Sequence, residues 1–375
     1  MNNMKLLAIG SSIDLSFPAG GVPVIWQFLK GFHDAGTEVV VITCGGTSFA
    51  SPWWRSYSRP FVQNKAFDFA MSRGIRTNQT IAESFYYCGW KKQLKRIFAA
   101  EKEISAVFLI GAIPLAKKIP SWIRRSFGVP TIYYETDIQA IPKYSLDHQP
   151  EKHRFPDYSE CDIIACSFEK ISQEFREHGL KNVWTVPFGA DPAIFSPMPE
   201  IQQNIDVFFS GYGELDREEW MQVLISKPSI ALKNSKFIVE GSFGIDLGNS
   251  EKIHSVSLDR YLHLCRRSKI NLNILRQQFI TAGVLNSRVF ELASLGCCIV
   301  TNPCDNLKDF FEPNKEIVVV NDEKDAIDKY KWLLCSEEDR TQIGKAARQR
   351  ILRDHTYLNR ANQILDIIKK LKKQQ

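Results

Sequence analysis

One segment in the second half of the chain combines residue types that can bind a charged ligand. A strand-like run, Asn271–Ile274, is followed by Arg276, and a helix-like run begins at Ser287 and continues through Arg288. The first turn of a helix offers unpaired N–H groups and about half a positive charge, so it stabilises a diphosphate without a metal. Arginines add charge-assisted hydrogen bonds. With Ser287 as the cap and Asn286 before it, the segment predicts a pyrophosphate site.

Glu291 lies three residues after Arg288 in the same helix-like run. A carboxylate at this position can accept hydrogen bonds from both hydroxyls of a ribose, so one helical turn would bind phosphate and sugar together. The alternative is an ordinary ion pair between the two side chains. From the spacing alone the ion pair is the more common outcome, and the local sequence leaves both open.

The first half of the chain contains two weaker candidates. Gly20 and Gly21 precede a helix-like run, where a glycine backbone can approach a phosphate or sugar closely or can simply form a tight turn. Glu135 and Asp137 follow a strand, where a carboxylate can orient an acceptor hydroxyl or accept its proton. We prefer Asp137 as the catalytic group, and an ordinary surface carboxylate is the alternative.

Short apolar runs alternate with helix-like runs along most of the chain, which is typical of parallel sheets covered by helices. The predicted strands are Lys5–Ile9, Glu38–Thr43, Ala106–Ile110, Thr131–Tyr134, Asp162–Cys166, Val183–Val186, Asp206–Ser210, Lys236–Glu240, Ile270–Ile274, Cys298–Thr301 and Ile317–Val320. The helices include Val22–Ala35, Ser257–Arg267 and Ser287–Leu295. We therefore predict an α/β fold that ends in a helical segment.

The domain organisation follows from length and from proline content. A chain of 375 residues suits two domains of about 150 to 200 residues each. Four prolines between 187 and 199 exclude regular structure there. We predict an N-terminal domain over 1–188, a linker over 189–204, a C-terminal domain over 205–352, and a C-terminal helix over 353–375 that packs back on the first domain.

Composition excludes several function classes. Hydrophobic residues make up 44% and charged residues 24%, as in ordinary globular proteins. The nine cysteines have no metal-like spacing, so we expect reduced thiols and no metal. The net charge of +6 comes largely from a lysine-rich C-terminus, and basic residues elsewhere are interspersed with acids, so we expect no nucleic-acid partner. We expect a cytoplasmic protein, with peripheral membrane contact through the basic tail as an option.

An aromatic cluster, Trp53-Trp54-Arg55, lies in a loop-like part of the first half. Such side chains can stack on sugar rings or rest at a membrane surface. A small core beneath a loop is the alternative, and we favour it slightly.

The string from Arg288 to Gly296, R-x-F-E-x-x-x-x-G, resembles the C-terminal domain of the CgeB-like glycosyltransferases, which are related to family 4 of the GT-B enzymes. The resemblance covers roughly residues 160 to 365. It is carried also by Cys161–Ser167, Asn182–Phe195, Asp206–Gly211 with Arg217, Lys269–Ile274 and Arg348–Arg360. It implies a GT-B fold, in which two Rossmann-like doubly wound sheets face each other across a cleft.

The resemblance also implies residue roles. Arg288 matches the family's donor-site arginine, Glu291 its ribose-binding glutamate, and Arg217 a position near the diphosphate, while Arg276 is a weaker candidate. Many relatives carry a second glutamate eight residues before the ribose-binding one, and here that position is Gly283. The transferred sugar must then be bound otherwise, for which we suggest backbone amides of the loop 279–284.

The function implied is transfer of a hexose from a UDP- or GDP-sugar to a hydroxyl of a glycan, a lipid-linked saccharide or a cell-surface precursor. We expect a retaining, metal-independent reaction, with the nucleotide-sugar as co-substrate and no other cofactor. Two alternatives stay open: a non-catalytic subunit that binds sugar nucleotides or glycans, and a nucleotide-sugar epimerase on the same fold.

Overall fold

The computed structural model describes residues 4–15, 22–45, 48–60, 76–137, 157–198, 200–211, 215–254 and 256–374. Within these ranges the strands form two separate parallel sheets, one in each half of the chain. Helices lie between successive strands, as right-handed crossover connections require. The α/β fold with two doubly wound sheets and a helical C-terminus is therefore confirmed.

The first sheet has the order β3-β2-β1-β4-β5-β6-β7. Its strands are β1 Lys5–Gly10, β2 Glu38–Thr43, β3 Arg55–Tyr57, β4 Ile104–Ile110, β5 Thr131–Glu135, β6 Ile163–Cys166 and β7 Val183–Thr185. The helices are α1 Val24–Asp34, α2 Arg76–Ala100, α3 Ile113–Ala116, α4 Ile119–Phe127 and α5 Glu169–Glu177. The central strands are buried on both faces, which explains their continuous runs of Val, Ile and Leu.

The second sheet has the order β10-β9-β8-β11-β12-β13. Its strands are β8 Ile205–Ser210, β9 Phe237–Glu240, β10 Glu251–Ile253, β11 Ser268–Asn273, β12 Ile299–Thr301 and β13 Val318–Val319. The helices are α6 Glu218–Met221, α7 Lys227–Ala231, α8 Leu258–Arg267, α9 Gln277–Ala282, α10 Ser287–Ser294, α11 Glu323–Cys335, α12 Glu337–Asp354 and α13 Tyr357–Gln374. A π-helical stretch, Gln222–Ser226, joins α6 to α7, and 3₁₀ turns cover Leu215–Arg217 and Asp305–Asp309.

Each sheet has a point where the strand order changes direction. In the second sheet the chain runs from β8 outward through β9 to β10, and it returns to the other side of β8 as β11. Ligands of doubly wound sheets bind outside the carboxyl ends of the strands at such a point. The ends of β8 and β11 are therefore the expected ligand position in this domain.

The C-terminal helix α13 packs on α1 of the first half. The rings of Phe28 and Tyr357 lie 4.9 Å apart, and Gly31 brings α1 so close that a Cβ there would lie 2.5 Å from the carbonyl oxygen of Tyr357. Before this helix, the backbone of Ala190 pairs with that of His355 and Tyr357, at 3.0 and 3.2 Å. The C-terminal end of the chain thus contacts both the first half and the segment that joins the halves.

Several expected elements differ in detail. Strand β3 begins at Arg55 within the aromatic segment taken as a loop, and the preceding Trp53 and Trp54 pack edge-on against Trp26 with ring centroids 5.2 and 5.6 Å apart. Trp54 is buried, so the cluster belongs to the core of the first half. Helix α1 starts at Val24, two residues later than expected, because Pro23 takes the N-cap position.

Candidate functional site

A cleft of about 350 Å³ opens at the carboxyl ends of β8 and β11, where the strand order of the second sheet changes direction. Its walls come from three segments that follow strands and from the start of α10. The lining residues are Asp137, Phe209, Ser210, Gly211, Arg217, Asn273, Ile274, Arg276, Phe279, Asn286, Ser287 and Arg288. Three arginines and one carboxylate therefore line one small, mostly polar space.

The start of α10 faces this cleft. Asn286, not Ser287, is the N-cap: its backbone is extended, and its side-chain oxygen accepts a hydrogen bond from the backbone N–H of Val289 at 3.4 Å. Ser287 is the first helical residue, so the expected cap is wrong by one position. Asn and Ser are about equally good caps, and the backbone turn at Asn286 decides between them. Both side chains still line the cleft at the positive end of the helix dipole.

Arg288 lies half-buried with its guanidinium carbon 5.0 Å from the centre of the Tyr261 ring. Its Nη1 is buried and has no hydrogen-bond partner among the described residues. Burial by itself lowers the pKa of Arg288, but the nearby Tyr261, Glu291, Cys265 and Glu240 outweigh this effect and leave the pKa raised. The guanidinium thus stays charged, and one of its donors lacks an acceptor.

Glu291 does not form the ion pair that its spacing allows: no salt bridge joins it to Arg288, although both belong to the described part of the chain. Its side chain is 5% exposed and accepts a hydrogen bond from Nε2 of Gln27 at 3.5 Å, the outer limit of such a bond. Burial raises the pKa of Glu291 to about 7, against the lowering effects of Arg288 and Gln27. Glu291 lies behind the cleft and does not line it.

Gln27 connects both halves of the molecule. It lies fully buried on α1, and its Nε2 also donates to the carbonyl of Val22 at 3.4 Å. Its Oε1 accepts a hydrogen bond from the backbone N–H of Asp191 at 3.0 Å. The Asp191 carboxylate in turn lies 3.2 Å from Nζ of Lys30, one turn further along α1. A single amide therefore contacts the first half, the joining segment and the candidate ribose-binding carboxylate.

Arg217 and Arg276 both line the cleft together with Arg288. The wall beside Arg217 depends on glycine: a Cβ on Gly211 would lie 3.0 Å from Nη1 of Arg217. Gly241 has a φ of +131°, and a Cβ there would lie 1.7 Å from the carbonyl oxygen of Gly211. The backbones after β8 and β9 therefore approach each other more closely than any side chain permits.

The two carboxylates proposed for catalysis have different surroundings. Asp137 is exposed and lines the cleft together with the three arginines. Glu135 is 3% exposed, accepts from the hydroxyl of Tyr158, and accepts from the backbone N–H of Asp137 at 2.9 Å. Burial raises the pKa of Glu135 to about 7. Asp137 can therefore contact a ligand, whereas Glu135 holds the backbone that presents Asp137.

The segment after Arg276 differs from expectation. Residues 277–282 form the short helix α9 and not a loop, and Gly283 ends it with a φ of +64°. A Cβ at Gly283 would lie 3.2 Å from Nδ2 of Asn306. The amides of Ile280, Gly283 and Val284 donate to nearby backbone carbonyls, at 3.1, 3.0 and 2.9 Å, so they are not available to a sugar. Gly20 and Gly21 lie outside the described residues.

Three buried residues near the cleft were absent from the sequence-based prediction. Asn273 is fully buried and lines the cleft. Its Nδ2 donates to Oγ1 of Thr301 at 3.3 Å, and its Oδ1 has no partner within the described part of the chain. Glu240 is fully buried and accepts hydrogen bonds from the Ser210 hydroxyl and the Val256 N–H. Tyr261 packs under Arg288. A polar residue at the carboxyl end of a buried strand was the available signal for Asn273 and Glu240.

The described residues contain no group of three or more His, Cys, Asp or Glu side chains that could hold a metal ion. Across the same ranges, every helix is too short or too polar to cross a membrane.

Comparisons with known proteins agree with this architecture. Residues 217–366 match the family model described as glycosyl transferase-like. No curated protein is similar in sequence at a significant level. Sucrose-phosphate synthase from Thermosynechococcus elongatus has a similar structure over 100% of both chains, with a TM-score of 0.65 and 11% identity.

Two further solved structures contain UDP. HepE from Anabaena in complex with UDP and glucose matches over 98% of this chain and 100% of its own, with a TM-score of 0.62 and 9% identity. An α-glucosyltransferase in complex with UDP and a 13-mer DNA matches over the same shares, with a TM-score of 0.63 and 10% identity. At these identities the solved structures establish the fold, which is GT-B.

Proposed function

We propose that this chain, a glycosyltransferase of the GT-B fold, transfers a hexose from a UDP- or GDP-sugar to a hydroxyl group. The observation that carries the proposal is the cleft where Arg217, Arg276 and Arg288 meet the N-terminus of α10. Three cationic side chains and a helix dipole provide what a diphosphate needs, and the buried, unpartnered Nη1 of Arg288 still lacks an acceptor.

We assign the diphosphate to the three arginines and the ribose to Glu291. In the structure Gln27 bonds the Glu291 carboxylate, and that bond is long and weak at 3.5 Å. A ribose can reach Glu291 only when Gln27 moves off the carboxylate. Because Gln27 belongs to α1, such a movement couples donor binding to the relative position of the two halves.

The transferred sugar lies on the side of the cleft that faces the first half. Asp137 lines this side and is the group we assign to orienting the acceptor hydroxyl, with Glu135 positioning it through the backbone. The unpaired Oδ1 of Asn273 is available to a sugar hydroxyl or phosphate-linked group. We propose a retaining reaction without an obligatory metal, in which the leaving phosphate itself helps to deprotonate the acceptor.

The acceptor belongs to the first half of the molecule in this proposal. We propose a glycan, a lipid-linked saccharide or a cell-surface precursor, and a relationship to the CgeB-like group on the residues from Arg288 to Gly296. The solved structures in complex with UDP support a nucleotide-sugar donor. A cytoplasmic location with peripheral membrane contact through the lysine-rich end of α13 fits a lipid-linked acceptor.

One observation favours a second candidate, a subunit that binds a sugar nucleotide without transferring it. The backbone of Gly283 is left-handed, and Asn306 fills the space a side chain would need. A substitution of Gly283 by the glutamate that is common at this position in the resembling family is therefore strained.

The test is incubation with a panel of UDP- and GDP-sugars, with and without saccharide acceptors, followed by measurement of released nucleotide and product analysis by NMR. The proposal expects release with one donor class and loss of release in Arg288→Ala. Donor binding that requires Arg288 but gives no turnover would favour the binding subunit, and recovery of an isomerised sugar nucleotide would favour an epimerase. The absence of binding to every donor would refute the assignment of the cleft.

A further inference from the structure

A second cavity, of about 600 Å³, lies at the amino-terminal ends of strands β11 and β12 in the second sheet. Its walls include Ser268 and Lys269 at the start of β11, and Cys298 just before β12. The donor cleft, as we call the cleft lined by Arg217, Arg276 and Arg288, lies at the other end of β11, at Asn273. Five residues of extended chain, about 17 Å, separate Ser268 from Asn273. The two cavities are therefore separated by the length of the sheet.

The basic cavity, as we call it, is lined by five cationic residues. Lys269 is paired with Asp206 at 2.8 Å, but Arg266, Arg340, Lys345 and Arg348 form no salt bridge among the described residues. The only carboxylate in the lining is that of the exposed Glu337. Four uncompensated positive charges thus face one negative charge.

Three arginines, Arg266, Arg340 and Arg348, each donate hydrogen bonds to backbone carbonyls through one edge of the guanidinium. Arg266 donates to Ser196 through Nε and Nη2 at 2.9 and 2.7 Å, and Arg348 donates through Nη1 to Phe195 at 3.2 Å. Arg340 is 7% exposed, donates through Nη1 to Leu333 at 2.6 Å, and its Nε is buried without a partner. Carbonyls orient these groups but do not neutralise their charge.

Arg340 is buried and Arg266 and Arg348 are half-buried, and a charge removed from water without a counter-charge is costly, so these groups stabilise an anion in the cavity. Burial lowers the pKa of Arg348, which is the expected effect of a cation that lacks a counter-charge. Apolar side chains also line the cavity, among them Met198, Ile201 and Leu295. A ligand that suits both kinds of side chain has a phosphate at one end and a less polar body, and the cavity volume suits a small metabolite.

We propose that the basic cavity is a second ligand site, distinct from the donor cleft, for a small phosphorylated molecule. The bound phosphate contacts Arg340, Lys345 and Arg348. Because Arg266 and Arg348 also hold the backbone at Phe195 and Ser196, the ligand is placed against the segment that joins the two halves.

The test uses the full chain and inorganic pyrophosphate as the probe, titrated by calorimetry at constant ionic strength. Lys345 is exposed and unpaired, so Lys345→Glu leaves the fold intact, and Lys324→Glu on α11 is a matched charge reversal outside the cavity. Arg276→Ala weakens the donor cleft independently. We expect two binding events in the wild type, of which Lys345→Glu weakens one by at least about fivefold, since one charge at contact distance in water is worth about that factor.

In the same titrations Lys324→Glu should bind like the wild type, and Arg276→Ala should retain the event that Lys345→Glu weakens. The proposal is overturned if the isotherms of Lys345→Glu and Lys324→Glu coincide. It is also overturned if Arg276→Ala abolishes all pyrophosphate binding, because every bound ion then lies in the donor cleft. A wild type that shows only the event weakened by Lys345→Glu would refute the proposed function and leave the second site standing.

Discussion

The pKa of Glu291 makes donor affinity depend on pH in a calculable way. Burial raises this pKa to about 7, and a ribose needs the ionised carboxylate to accept both of its hydroxyl hydrogens. With a pKa of 7, about one tenth of the molecules carry the charged form at pH 6 and about nine tenths at pH 8. The dissociation constant for the donor should therefore fall by about ninefold between these values.

The assay is a binding titration with an intact nucleotide sugar. Its diphosphate is doubly esterified and does not titrate in this range, whereas a free nucleotide carries a phosphate with a pKa near 6. Glu291→Gln should bind the donor more weakly and with no dependence on pH between 6 and 8. Glu135→Gln is the matched control, because burial raises the pKa of Glu135 to about 7 as well, yet its carboxylate is bonded to the Tyr158 hydroxyl and the Asp137 N–H and is assigned no contact with the ribose.

The reasoning fails if wild-type affinity is flat across this range. It fails equally if Glu291→Gln keeps the slope, or if Glu135→Gln removes it, because the titrating group would then lie elsewhere.

Three further predictions concern Gln27, Gly241 and Glu291. Gln27→Ala leaves the Asp191 N–H buried and unpaired, so chemical denaturation should show that the free energy of unfolding falls by about 1 to 3 kcal/mol. The KM for the donor should also change, because Glu291 loses its contact with Gln27. Unchanged stability and KM would contradict the role of Gln27 in connecting the two halves. Gly241→Ala places a Cβ 1.7 Å from the Gly211 carbonyl, so melting temperature and donor binding should both fall, whereas a neutral result would show that these backbones separate readily. The folded-state pKa of Glu291 lies above the unfolded value near 4.5, so its favourable contribution is complete below pH 4.5 and is lost as the pH rises through 7. Glu291→Gln should therefore gain stability relative to the wild type between pH 5 and 8, and a constant difference would contradict the buried carboxylate.

The fold was readable from the sequence because the central strands are buried on both faces. Residues 39–43, for example, are all β-branched and buried, and the prediction of a strand over Glu38–Thr43 is confirmed to the residue. Strand β3 was missed because it has three residues at the sheet edge and a partly exposed surface. Helix α9 was missed because six residues between a strand and a glycine carry too little periodicity.

The candidate site was only partly readable. Arg276, Asn286, Ser287 and Arg288 stand near one another in the sequence, and the structure brings them to one cleft together with Arg217. The contacts that set their behaviour are long-range: Gln27 lies 264 residues from Glu291. No local pattern reports such a pairing, since it depends on how two separately folded sheets face each other.

The start of α13 illustrates the same limit. Helical spacing puts Leu358 on one face with Ala361, Ile364 and Ile368, and the last three are buried, but Leu358 is 40% exposed and Tyr357 is buried in its place. Tyr357 is the first residue of the helix, where its ring packs on Phe28 of α1 and its N–H donates to the Ala190 carbonyl.

A crystal structure with a bound nucleotide sugar tests the central claim most directly. The account predicts the diphosphate in the cleft, within hydrogen-bond distance of Arg288 Nη1 and the first turn of α10, and the ribose hydroxyls on Glu291 with Gln27 displaced. A diphosphate bound away from α10, or a ribose bound while the Gln27–Glu291 contact persists, would contradict it.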